Sequence, residues 1–158
     1  MNAFVFIHVA ISLVGILSGF VVLFGLLAGK GLNSWTAVTT VATSVTGFLL
    51  PAEHLMPSHV IGVLSLIALA LAIYGRYARR LTGGWRKTYV IGAVAALYFN
   101  VFVGVVQAFM KVPTLKVLAP TQSEPPFAAT QFVVLVLFIA LGVIAAIRFY
   151  KKPVVLAY

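Results

Sequence analysis

The side chains that most readily do chemistry in this chain are the imidazoles of His8, His54 and His59, the carboxylates of Glu53 and Glu124, the amides of Asn100 and Gln107, and the ammonium of Lys111. Imidazole is the side chain that most often ligates metals and haem iron. His8 and His59, at similar depth on two apolar segments, are therefore candidate axial ligands of a b-type haem. His8, His54, His59 and Glu53 together offer nitrogen and oxygen donors suited to a zinc, iron or copper ion. The five-residue separation of His54 and His59 is interrupted by Pro57 and matches no recognised ligand spacing. A third chemistry needs no metal: Asn100, Gln107 and a histidine can hold a quinone or another polar headgroup, with Lys111 reaching an anionic or carbonyl oxygen. A haem, metal or quinone would bring electron-transfer chemistry with it.

Spacing groups these residues. At about 100° per residue, Asn100, Gly104, Gln107 and Lys111 fall within about 60° of one another on a helix, and Ala93 and Ala96 extend the stripe. His8, Ser12, Gly15 and Gly19 form a matching stripe, and Thr36, Thr39, Thr43, Thr46 and Gly47 form a third. In a bilayer, polar side chains are costly unless they face protein or water, and small residues beside them let another helix approach. These faces are expected to point into a bundle. Ordinary helix packing accounts for the same pattern, since interhelical hydrogen bonds in membranes average only about 0.6 kcal/mol.

The elements that must carry the stripes follow from composition. Of 158 residues, 63% are hydrophobic and 8% charged, where soluble domains carry roughly 25% charged residues. A helix crossing the hydrocarbon core needs roughly 20 mostly apolar residues. Five such stretches occur, at about 3–29, 35–50, 58–74, 88–110 and 127–149. The fold expected is an all-α integral membrane protein, one domain over 1–158, with five transmembrane helices in a single bundle. Its connections are too short for a conventional soluble active site. The first stretch has no Lys or Arg before it and exceeds the length of a signal-peptide core, so it reads as a retained span. Cysteine is absent, which excludes disulfides, thiolate metal sites and covalently attached c-type haem.

Charge sets the expected orientation. Lys30, Arg76, Arg79, Arg80, Arg86, Lys87, Arg148, Lys151 and Lys152 share one side of a five-span topology, and only Lys111 and Lys116 lie on the other. The positive-inside tendency then puts the N-terminus outside and the C-terminus in the cytoplasm. Glu53, Glu124, Gln122, Gln131 and all three histidines fall on the outer side, outlining a polar pocket in the outer leaflet. The cations flank spans without an aromatic-studded groove, so the lipid bilayer and its anionic headgroups, rather than nucleic acid, are the expected partner. The outer connection, 111–126, contains Pro113, Pro120 and a Pro125–Pro126 pair. It is expected to be stiff and non-helical, and Gln122 and Glu124 are its candidate docking residues.

Other functions lack their signatures. There is no Asp, no HExxH, no Gly-x-Ser-x-Gly and no acidic residue inside a span, which argues against hydrolytic or phosphoryl-transfer chemistry and names no catalytic residue. Internal repeats are not evident, although Pro51 and Pro57 flank a possible helix break, so small-molecule transport ranks third. Two readings lead. One is a ligand- or cofactor-binding membrane protein. The other is an accessory or scaffold subunit of a larger membrane complex, or a homo-oligomer, whose "PTQSEPPF" loop docks a partner. The stretch "LYFNVFVGVVQAFMKVPTLKVLAPTQSEPPF", with "TSVTGFLLP" upstream, resembles a pattern in small, uncharacterised polytopic membrane proteins of bacteria. That resemblance covers about the last four spans and implies a bacterial inner membrane without implying an activity.

Overall fold

The computed structural model describes residues 3–29 and 57–151, and among them every regular element is a helix. These are α1 (Ala3–Leu27), α2 (Pro57–Ile73) continued by a π-helical turn (Tyr74–Ala78), α3 (Trp85–Lys111), α4 (Pro113–Leu118) and α5 (Pro125–Lys151). Four stretches, Phe6–Leu27, Val60–Ala78, Trp85–Lys111 and Pro125–Phe149, are long and apolar enough to cross a membrane. At about 1.5 Å per residue, the shortest of them reaches nearly the ~30 Å of a hydrocarbon core. Their outward faces carry large apolar side chains such as Phe6, Leu17, Val21, Ile67, Phe132 and Ile139, a surface suited to lipid tails and penalised in water. The chain is thus an integral membrane protein. The expected span at 35–50 lies outside the described residues.

Helix α3 occupies the centre, and the other three long helices run antiparallel to it. Along α1, His8 comes within electrostatic reach of Lys111, Ile16 meets Gly104 and Gly19 meets Leu97. Along α2, Ser65 meets Ala96, Ala68 and Ala72 meet Gly92, and Gly75 meets Trp85. Along α5, Phe127, Gln131, Phe138 and Phe149 meet Phe109, Phe102, Tyr98 and Tyr89 in turn. So α1, α2 and α5 all begin at one end of the bundle, the His8 end, and finish at the other, the Trp85 end.

Packing is tightest toward the Trp85 end. Leu23, Leu26, Tyr89, Val90, Ala145 and Phe149 are almost completely buried there. Gly92 lets α2 come so close that an added Cβ would sit 2.6 Å from the backbone oxygen of Ala68. This is the small-residue contact by which membrane helices gain van der Waals area without a hydrophobic driving force. One turn away, buried Ser65 Oγ points at the Ala96 carbonyl at 3.5 Å. Arg86 closes the end of α5, its Nη2 donating to the Phe149 carbonyl at 2.6 Å with the guanidinium 5.1 Å from the Phe149 ring centroid.

Three differences from the sequence expectation have a local cause in glycine or proline. Helix α3 begins at Trp85 and α5 at Pro125, each a few residues early, because Gly84 and the proline pair serve as starts rather than stops. The third difference corrects the reading of 111–126 as non-helical: Pro113–Leu118 form a helix. Pro113 opens it, at a position where the missing N–H has no intrahelical partner in any case and the fixed φ favours the first turn. The amides of Lys116 and Ala119 close onto Val112 and Leu115 at 2.9 and 3.1 Å.

Candidate functional site

The two polar stripes meet between α1 and α3. On α1, Gly15 and Gly19 are buried while His8 and Ser12 are half-buried. Ser12 Oγ donates to the His8 carbonyl at 2.8 Å and lies 3.4 Å from His8 Nε2, so the hydroxyl is anchored beside the ring. On α3, Asn100, Gly104 and Gln107 are half-buried and Lys111 is exposed at the helix end. Gly19 faces Leu97 and Gly104 faces Ile16, so α1 lies along the α3 stripe. Small residues at these crossings keep the helix backbones close while leaving the amides room.

Hydrogen-bonding capacity is left over in this seam. Asn100 Nδ2 donates to the Ala96 carbonyl of its own helix at 3.0 Å, which leaves Oδ1 without a described partner. The Gln107 amide takes no hydrogen bond from any described residue. A primary amide carries two donor hydrogens and an acceptor oxygen, and membrane interiors offer little water to satisfy them.

The surrounding packing is loose as well as polar. Fully buried residues of α3 run from Tyr89 to Leu97, and the next is Phe109. Every residue of α3 from 98 to 108 is only half-buried, although three helices surround it. Across this same half, on the α5 flank, lies Gln131, only 9% exposed. Its Nε2 donates to the Phe102 carbonyl at 3.2 Å, but its Oε1 is buried with no partner among the described residues. Sequence reasoning places Gln131 at this end and misses its significance. The available signal is an amide two turns inside an otherwise apolar span, which a membrane helix carries only at a cost.

A prefolded loop lies at the same end. The Glu124 carboxylate accepts hydrogen bonds from Thr121 N–H at 3.1 Å, Thr121 Oγ1 at 2.8 Å and Ser123 N–H at 3.1 Å, and Thr121 Oγ1 also pairs with Ser123 Oγ. Desolvation raises the Glu124 pKa, and the hydrogen bonds from Thr121, Ser123 and its own backbone outweigh that and hold it below the ordinary value. Gln122 adopts a left-handed backbone, φ 61°, at the tip of this turn and is half-buried. Glu124 also begins α5, its carbonyl accepting the amides of Phe127 and Ala128. A negative side chain at this position is favoured by the helix dipole.

Of the expected site residues, the structure brings His8, Asn100, Gln107 and Lys111 along one seam. His59 lies in the first turn of α2, at the same end of the bundle, where only the backbone course is described. Glu53 and His54 lie outside the described residues, as does the threonine stripe. Among the described residues no three His, Cys, Asp or Glu side chains gather as a metal site. No family model, curated protein or solved structure matches the chain.

Proposed function

We propose that the protein is a membrane-embedded binding protein whose α1–α3 seam, at the His8 end, holds a small polar ligand or cofactor. The observation that carries this reading is a coincidence. The half of the bundle with the loosest packing around α3 is also the half that holds all three described span amides, Asn100, Gln107 and Gln131, together with His8. A quinone-type headgroup fits these groups best: the Gln107 amide and the Lys111 ammonium would donate to one carbonyl oxygen, and the His8 imidazole would donate to a second. A b-type haem or a metal ion at the same end would draw on His8 with His59, His54 and Glu53. The role would be electron transfer, with the cofactor supplying the redox chemistry.

The same proposal includes five spans with the N-terminus outside, in a bacterial inner membrane. Helix α1 finishes at the Trp85 end and α2 starts at the His8 end, which supports a further crossing between them. The basic residues 76–87 at the Trp85 end then face the cytoplasm, in line with the positive-inside tendency.

Thermal unfolding of the purified protein with and without a short-chain benzoquinone tests the ligand class. Binding to the folded state alone raises the midpoint as ligand concentration passes its dissociation constant. We expect the rise in wild type and its loss in Gln107→Leu and His8→Ala. No rise, or one undiminished in both variants, contradicts the quinone assignment.

One observation favours a second reading, an accessory subunit. The apolar side chains of Val112, Val117 and Leu118 are exposed on and beside α4, next to the locked Thr121–Glu124 turn with Gln122 at its tip. This pairs a rigid polar motif with an apolar face, as a docking surface for a larger membrane complex or a second copy would. If so, Val117→Ser lowers the mass of the assembly in mild detergent without altering the melting of the subunit.

A further inference from the structure

We propose that the turn joining α2 to α3 is a binding surface for an anionic phospholipid, with Arg76, Arg79 and Arg80 holding the headgroup phosphate. The inference is independent of whatever occupies the opposite end. Five cations lie between residues 76 and 87. The only described carboxylate side chain, Glu124, sits at the far end of the bundle, and Arg76, Arg79 and Arg80 form no ion pair among the described residues.

Two of these three guanidiniums are set against rings instead. Arg76 lies 5.5 Å from the Tyr77 ring centroid and 6.0 Å from that of Tyr89, and Arg79 lies 5.5 Å from that of Trp85. Trp85 is itself pinned by an edge contact with Tyr74, with centroids 5.2 Å apart. A guanidinium packed against a ring keeps its N–H edge directed elsewhere, in the planar fork that matches phosphate oxygens.

The backbone supplies a second observation. The Arg79 amide closes the π-turn onto the Tyr74 carbonyl at 3.1 Å and the Leu81 amide reaches the Gly75 carbonyl at 3.0 Å. To do this the chain holds Arg80 and Leu81 at φ 47° and 57°. Helices commonly end with glycine in this conformation because a Cβ is penalised there. Arginine at that point closes the turn less favourably than glycine would and adds a third cation.

A lipid, rather than free phosphate, fits the surface because an apolar strip leads away from it. Val60, Leu64, Ile67 and Leu71 on α2 and Tyr74 at the start of the π-turn recur at alternating spacings of four and three residues and are all exposed. Acyl chains can lie along this strip while the headgroup sits at the turn.

The test uses the full chain reconstituted in phosphatidylcholine vesicles containing trace spin-labelled phosphatidylglycerol or phosphatidylcholine. Electron spin resonance then reads the relative affinity of the protein boundary for each lipid. Wild type is expected to prefer the anionic label, with the preference shrinking at high salt, as it should for exposed cations. Arg79→Gln combined with Arg80→Gly should reduce the anionic affinity by about fivefold for each cation removed. Arg80→Gly alone should weaken it while leaving the melting temperature unchanged or raised, which separates lipid loss from misfolding. Lys116→Gln, at the opposite end, should leave the preference intact. The proposal is overturned if wild type shows no preference, if the double variant keeps it, or if Lys116→Gln lowers it equally.

Discussion

The two halves of the bundle are packed by different means. Toward the Trp85 end, α3 buries Tyr89, Val90, Gly92, Val94, Ala96 and Leu97 completely, and α2 approaches it through Gly92 with no room for a single added carbon. Toward the His8 end, the next eleven residues of α3 are all half-buried, and the groups among them include two amides with unused hydrogen-bonding capacity. Small residues occur in both halves, and among the described contacts the closest backbone approach is the one at Gly92, in the first half. Van der Waals packing therefore accounts for the Trp85 half by itself. In the His8 half it leaves hydrogen-bonding capacity unused at Asn100, Gln107 and Gln131, and the proposed ligand site rests on that capacity.

The largest effect should come from filling the tight seam. Gly92→Ala puts a Cβ 2.6 Å from a backbone oxygen, so the helices must separate, at about 1–3 kcal/mol. Gly104→Ala, in the loose half, meets only Ile16 Cδ1 at an ordinary 3.5 Å. It should be neutral, or stabilising by up to about 1 kcal/mol from helix propensity. Thermal or denaturant unfolding in detergent compares the two. Equal losses would mean that the halves are packed alike.

A smaller effect on stability, with a larger one on binding, is expected at Gln107. Gln107→Leu removes an amide that bonds no described residue, so unfolding should shift by less than about 1 kcal/mol, while stabilisation by added ligand disappears. Loss of stability with ligand response retained would make Gln107 a packing residue and bring the two halves closer in kind.

At Gln131 two terms oppose. Gln131→Met gives up the hydrogen bond to the Phe102 carbonyl but also removes a buried oxygen that has no described partner. The balance should lie within about 1 kcal/mol of zero. A clear destabilisation would show that Oε1 is satisfied in the membrane-bound protein, for example by an ordered water.

The last prediction concerns the loop at the His8 end, and it is a pH dependence. The hydrogen-bonded Glu124 carboxylate titrates below its ordinary value of 4.5. Its contribution to loop order is therefore fully present above pH 4.5 and is lost as the pH falls through the depressed folded value. Limited proteolysis of 119–125 across this acid range should show wild type loosening. Glu124→Gln should be loose throughout and insensitive to pH.

Much of this architecture is legible in the sequence, because hydrophobic length is a direct requirement of the bilayer. The four runs falling on described residues appear as long helices, with ends displaced by a few residues. The four-three-four spacing of His8, Ser12, Gly15 and Gly19, and of Asn100, Gly104, Gln107 and Lys111, identifies faces because helix period is intrinsic to the backbone. The π-turn is not legible: it depends on Arg80 and Leu81 adopting a left-handed conformation that neither residue type announces. Nor is α4, since Pro113 reads as a helix breaker until it is known to occupy the first helical position. The isolation of Gln131 Oε1 is a property of tertiary packing and leaves no mark on local sequence. The convergence of His8 with His54 and His59 depends on residues or side chains outside those described.

The most direct test of the central claim is to ask what the gently purified protein carries. Absorption spectra before and after dithionite, metal analysis and mass spectrometry of an organic extract can be run on one sample, beside the Gln107→Leu and His8→Ala variants. The account predicts a ligand near one equivalent, a quinone in the extract or a haem or metal in the spectra, depleted in at least one of the two variants. A wild-type sample with no haem, metal or quinone above the level of both variants would contradict it, and would leave the polar half of the bundle to be explained by assembly with a partner.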